Sequence, residues 1–187
     1  MAELATLYTI SPSNDSAFAV EVLRTGWMGR KKRHILFFEN FRGELHLVAN
    51  DPAKSRIQLT ADASSLVCRD TWLKEKKRAA VAEFARKDAL QANLHPEIRF
   101  TSTCIRAKPL RGFVVTGILQ IRGISRELKV NMSFNPRRKH EFQLDGDTAL
   151  RLSDFDLPRP TAMFGLMGTK DETMVHLLLW AAPLMQT

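Results

Sequence analysis

With 187 residues, 44% of them hydrophobic, the chain suits one domain over 1–187 with a sizeable core, and wholesale disorder is excluded. It has no apolar run of the ~20 residues a membrane helix needs, and Met1 to Ile10 lacks the features of a secretory leader, so a cytoplasmic location is expected. Two cysteines, Cys68 and Cys104, are too few for a disulfide scaffold and read as reduced and structural, while a net charge of +8 favours anionic partners such as lipid head groups or pyrophosphates.

Leu7 to Ile10 reads as a short strand and Ser11 to Ser16 as a turn. Ala17 to Thr25 follows as a strand with Phe18, Val20 and Val22 on one face. Gly26 to His34 is a basic loop carrying Trp27, Arg30, Lys31, Lys32 and Arg33. Ile35 to Val48 is one strand or two, with Leu45 and Leu47 facing one way. After the Asn50-Asp51-Pro52 turn, Arg56 to Asp62 alternates, with Ile57, Leu59 and Ala61 inward. Asp70 or Thr71 is placed to cap a helix whose face is Leu73, Ala80, Val81 and Phe84, and Asp88 to cap a second turn, Ala89 to Asn93.

Pro96 to Gly123 is the clearest hairpin pattern. Ile98 and Phe100 alternate with polar neighbours, Lys108 to Gly112 turns, and Phe113 to Ile121 returns with Val115 and Leu119 inward. Glu127 to Asn135 is a strand with Leu128, Val130, Met132 and Phe134 on one side. Phe142 to Ser153 is another, with Gly146 a bulge or bend. Asp154 to Asp171 is loop-like, and Glu172 to Ala182 is a last strand with Val175, Leu177, Leu179 and Ala181 inward. About eight strands and one helical excursion, near 70–94, indicate an all-β class. Pairing the last strand with the first removes the sheet edges and favours a closed antiparallel barrel.

Catalytic patterns are weak. Histidines 34, 46, 95, 140 and 176 have no metal-ligand spacing, so no metal and no cofactor is expected, and they read as exposed or satisfied. Asp154 and Asp156 flank Phe155 and read as loop-edge groups. Aromatics are not interleaved with the basic clusters, so no nucleic-acid partner is expected. The inward set is apolar throughout: Phe18, Val20, Val22, Leu45, Leu47, Ile57, Leu59, Phe100, Val115, Leu119, Val130, Met132, Phe134 and Leu179. In a small barrel such residues either fill the interior or line an apolar tunnel, and the pattern alone does not separate the two.

Several motifs carry a family likeness. Pro96-Glu97-Ile98-Arg99-Phe100-Thr101-Ser102 resembles the Pro-x-Ile-x-Phe-x-Ser strand of the YceI-like, lipocalin-type barrels. Val115 to Gly123 is similar to that family's Val-x-Gly-x-Leu-x-Ile-x-Gly strand, Tyr8-Thr9-Ile10 to its opening, and Phe41 to Leu45 to its Phe-x-Gly-x-Leu step. Gly123 to Leu128 and Leu152 to Leu157 resemble later steps in the same order. The resemblance implies an eight-stranded antiparallel lipocalin-like barrel with a helical insertion. It also implies a non-enzymatic role: holding a polyisoprenoid, an isoprenoid quinone or a fatty-acyl chain inside. Many members are exported and dimers are common, so a homodimer is admitted. The basic loop and the longer stretch from Asp70 to Leu94 depart from the family pattern.

The expectation is therefore a lipid-binding barrel whose inward residues form the ligand wall. Arg30, Lys31, Lys32 and Arg33 would meet an anionic head or membrane surface. Two alternatives stand beside it: an enzyme using the same cavity on a hydrophobic substrate, with Asp154 or a histidine as acid–base, and a solid barrel that acts as an interaction module through its basic surface.

Overall fold

The computed structural model describes residues 6–25, 32–48, 50–109, 112–137, 140–160 and 168–184. Its strands are β1 (Thr6–Ser11), β2 (Ala17–Thr25), β3 (Arg33–Phe38), β4 (Phe41–Leu47), β5 (Arg56–Asp62), β6 (Leu66–Cys68), β7 (Glu97–Ala107), β8 (Phe113–Ile121), β9 (Ile124–Pro136), β10 (Phe142–Arg151) and β11 (Gly168–Pro183). Among the described residues there is one α-helix, α1 (Glu75–Phe84), which continues into a wider π-turn over Ala85–Ala89. Every strand pairing is antiparallel.

Eight strands close a ring in the order β1, β4, β5, β7, β8, β9, β10 and β11, with β11 returning to β1. Closure leaves no free edge in the ring. β11 makes it possible by its length. Thr9 and Ile10 of β1 pair with Ala182 and Ala181, while Val20 and Phe18 of β2 pair with Val175 and Leu177. β1 and β2 thus lie end to end along one side of β11. β3 and β6 extend the sheet beyond β2, with α1 packed on β6.

The interior is filled at one end. Ile10, Leu45, Ile105, Val115, Leu144 and Ala181 are each at most 1% exposed. Two edge-on aromatic pairs pack beside them, Tyr8 with Phe142 at 5.3 Å and Phe113 with Phe134 at 4.7 Å between centroids. At the other end the helical insertion supplies the cover: Val81, Phe84, Ala85 and Leu90 face inward.

Most alternating strands sit where their periodicity predicts, and the differences have local causes. The Ile35–Val48 run is two strands broken at Glu39-Asn40, and strand β3 begins within the expected loop, at Arg33. Asp70 does not cap the helix. Its carboxylate accepts from the Ile35 amide and lies 2.7 Å from His34 Nδ1. Lys74 stands at the N-cap without a side-chain bond. Ala80 is exposed, so the buried helix face is turned toward Val81, Ala82 and Ala85. Gly146 is not a bulge: β9–β10 pairing runs through it without a shift, and a Cβ there would press on Met132. Register shifts lie instead on β7 between Ser102 and Cys104 and on β11 between Thr169 and Thr173. On the other side of β7, the buried Ser102 hydroxyl accepts the amide of Ile57 in β5 at 2.8 Å, which satisfies that donor at the end of the β5–β7 ladder.

Candidate functional site

The hollow end encloses a cavity of about 190 Å³. Its wall comes from the inward phase of β2, β3, β5 and β7 to β11, together with the helical insertion and the segment Leu152–Pro160. Of the residues expected to contact a ligand, Phe18, Val20, Val22, Ile57, Leu59, Phe100, Leu119, Val130, Met132 and Leu179 line it. Leu45, Leu47, Val115 and Phe134 do not. Leu45 and Val115 are fully buried in the filled end, and Leu47 and Phe134 pack against it. Those four share the period-2 phase of the wall but pack into the filled end and do not border the space.

Polar groups on the wall are few. Thr148 donates its hydroxyl to the Lys129 carbonyl at 2.8 Å and Thr173 to the Glu21 carbonyl at 2.6 Å, so both turn their oxygens to backbone. Two wall groups remain. Thr169 Oγ1 is buried with no partner. His34 uses Nδ1 on Asp70, and no hydrogen bond engages its other ring nitrogen among the described residues.

These two lie at one end. Thr173 pairs with Val22, and Val22 with His34; one step outward, Thr169 pairs with Arg24, whose amide bonds the Lys32 carbonyl at 3.1 Å. The inward face thus passes from apolar to cationic within two residues on β2 and β3. Trp72 lies beside it. Its ring is 5.3 Å from that of His34, with Lys32 Nζ at 4.7 Å and Arg24 at 5.7 Å from the centroid. Neither cation is ion-paired with a carboxylate among the described residues.

The expected head-group set divides accordingly. Lys32 belongs to this polar end. Arg33, in the opposite phase of β3, forms an ion pair with Glu21 at 3.2 Å on the outer face. Arg30 and Lys31 lie outside the described residues, as does Trp27. Sequence reasoning missed Arg24, His34, Trp72 and Thr169. The signal for Arg24 was present, since it continues the Phe18, Val20, Val22 phase.

Of the proposed acid–base groups, His34 borders the cavity and bonds Asp70, and the others do not line it. Asp154 and Asp156 are exposed, and His46 and His176 lie half-exposed beside Glu44 and Glu21. Both cysteines are free. Burial pushes the Cys68 thiol up from its ordinary value, and the neighbouring Asp70 carboxylate adds to this. The thiol is therefore protonated at neutral pH and a poor nucleophile.

Barrel and cavity define a class: a closed eight-stranded antiparallel barrel around an apolar chamber, covered by a helical insertion. The YceI-like domain model matches residues 8–179, and the chain belongs to the YceI-like family. It is 25% identical over 130 residues to a UPF0312 protein of Pseudomonas putida (strain W619), covering 67% of this chain and 64% of that protein. A UPF0312 protein of Pseudomonas syringae pv. tomato is likewise 25% identical over 132 residues. The chain spans 64–65% of the length of these curated relatives. The fold resembles BcnA of Burkholderia cenocepacia, with a TM-score of 0.65 and 19% identity over 88% of this chain and 96% of that one. It also resembles a polyisoprenoid-binding domain from Saccharophagus degradans, with a TM-score of 0.64 and 10% identity over 94% and 98%.

Proposed function

We propose that this protein binds and carries a long-chain apolar molecule, with the tail in the cavity and a polar head toward Arg24, Lys32 and Thr169. One observation carries the reading: the wall is apolar, and its unsatisfied polar groups and free cations gather at a single end. Each buried CH₂ contributes ~0.8 kcal/mol, so a chain is retained without covalent chemistry. A charged head left unpaired in the apolar wall would be costly, so it belongs at the cationic end. Polyisoprenoids, isoprenoid quinones and fatty-acyl chains all suit the tail. The Saccharophagus neighbour, described as polyisoprenoid-binding, favours the first. Trp72, 39% exposed beside the two cations, suits an interfacial contact with an anionic membrane during loading.

Native mass spectrometry of the purified protein, followed by solvent extraction, tests this. An apolar adduct at one per chain is the expected result. A protein that carries none, and takes none up from vesicles containing polyprenyl phosphate or oleic acid, would sink the reading.

A further inference from the structure

Among the described residues, one group of side chains brings three different metal-ligating atoms together. His34, Cys68 and Asp70 place a ring nitrogen, a sulfur and a carboxylate oxygen within 4.8 Å of one another. The fold sets this arrangement. β3 turns His34 inward, Cys68 of β6 pairs with Leu36 in the same phase, and Asp70 follows two residues later. The Asp70 side chain is 2% exposed, and no lysine or arginine is ion-paired with it among the described residues. Its oxygens meet the Ile35 amide at 2.9 Å and His34 Nδ1 at 2.7 Å, and the Cys68 sulfur lies within 4.8 Å of the same group. A buried carboxylate is costly unless it is paired or coordinates a metal.

We propose that His34, Cys68 and Asp70 bind one divalent transition-metal ion, zinc(II) foremost, with a fourth position open toward the cavity. Imidazole, thiolate and carboxylate form a borderline-soft set suited to zinc, and three protein donors leave one tetrahedral position for water or a ligand's head. The open side follows from His34, whose ring borders the cavity. On binding, the Cys68 thiol releases its proton to solvent and bonds the metal as thiolate. The ion takes the place of the proton between Nδ1 and the carboxylate, and that proton moves to Nε2. Nothing is oxidised or reduced. The site stands apart from the lipid reading: either can fail alone.

Cobalt(II) titrated into chelator-treated protein is the direct test, followed by zinc calorimetry. One equivalent of cobalt should give tetrahedral visible bands and a thiolate-to-cobalt charge-transfer band, both removed by zinc. Cys68→Ser should abolish the charge-transfer band, and Cys68→Ser, His34→Gln and Asp70→Asn should each weaken zinc at least tenfold. Cys104→Ser should change nothing. Equal melting temperatures without metal would show that the variants fold, and His34→Gln serves should Cys68→Ser not. No uptake of either ion, or a charge-transfer band that survives Cys68→Ser, would overturn the site.

Discussion

The ring of Phe100 lies against Gly117 across the β7–β8 pair: a Cβ built on Gly117 would stand 2.6 Å from Phe100 Cζ and 2.5 Å from the Thr101 carbonyl oxygen. The carbonyl is backbone and cannot move aside, whereas the ring borders the cavity and can shift only part of the way clear. Gly117→Ala should therefore destabilise by ~1–3 kcal/mol, as overpacking does. In a chain of this size that corresponds to roughly 2–4 °C in melting temperature per kcal/mol. An unchanged melting curve would show that the barrel relaxes at this point.

The two ends of the barrel should answer differently to added volume. Val115 is 0% exposed in the filled end, while Val175 borders the cavity. Val115→Phe should cost ~1–3 kcal/mol, whereas Val175→Phe, growing into space, should cost well under that. The second variant should instead lose affinity for a long-chain probe such as a fluorescent fatty acid. Denaturant unfolding and probe titration, run on both, separate the two effects.

Head-group recognition should depend on Arg24 and Lys32 and not on Arg33. With oleyl phosphate and oleyl alcohol as a matched pair, the wild type should prefer the phosphate. Arg24→Ala combined with Lys32→Ala should lose about tenfold for the phosphate and little for the alcohol, because hydrogen bonds to charged groups outweigh neutral ones. Arg33→Ala, which breaks only the outer pair with Glu21, should leave both unchanged. Equal losses for the two ligands would remove the head-group role.

Asp171 ties the start of β11 to the turn after β10. It accepts the Ser153 hydroxyl at 2.6 Å and the Ser153 amide at 2.9 Å, and these bonds hold its carboxyl below the usual range. A carboxyl lowered by folding stabilises the fold above its unfolded value, near 3.9, and that support fades as pH falls through the lower folded value. The stability gap between wild type and Asp171→Ala should therefore be largest near neutrality and narrow in acid. A gap that widens on acidification would contradict the arrangement.

Strand phase was legible because one face of each strand is buried, and a period of two then fixes which side chains point inward. The division into a filled and a hollow end was not. Val115 and Val175 carry the same alternation signal, and only the helical insertion, which covers one end with Val81, Phe84 and Leu90, separates their surroundings. β6 is three residues long, too short to show periodicity. The β7 register shift falls in Ser102-Thr103-Cys104, without a glycine or proline to mark it. Arg24 reads in the sequence as a solvated strand end, and its place at the polar end of the cavity follows from the pairings that set Thr169 and Lys32 on either side. His34 and Asp70 stand 36 positions apart, so no local spacing joins them.

The end-to-end seating of β1 and β2 along β11 also bears on how the barrel comes into being. Thr9 meets Ala182 across 173 positions of chain, one of the most distant pairings the molecule contains. A nascent chain that has reached β10 can form the run from β1 through β4 to β10, but it remains an open sheet. Its free edges are β1 and β10, its apolar inner face is exposed, and β2 is held only by β3. Pairings this distant form slowly, because loop closure is paid before any contact offsets it. During that interval the partly made barrel offers both edges and an apolar lining to any neighbouring chain. A single long strand thus sets the period in which the molecule most needs a chaperone.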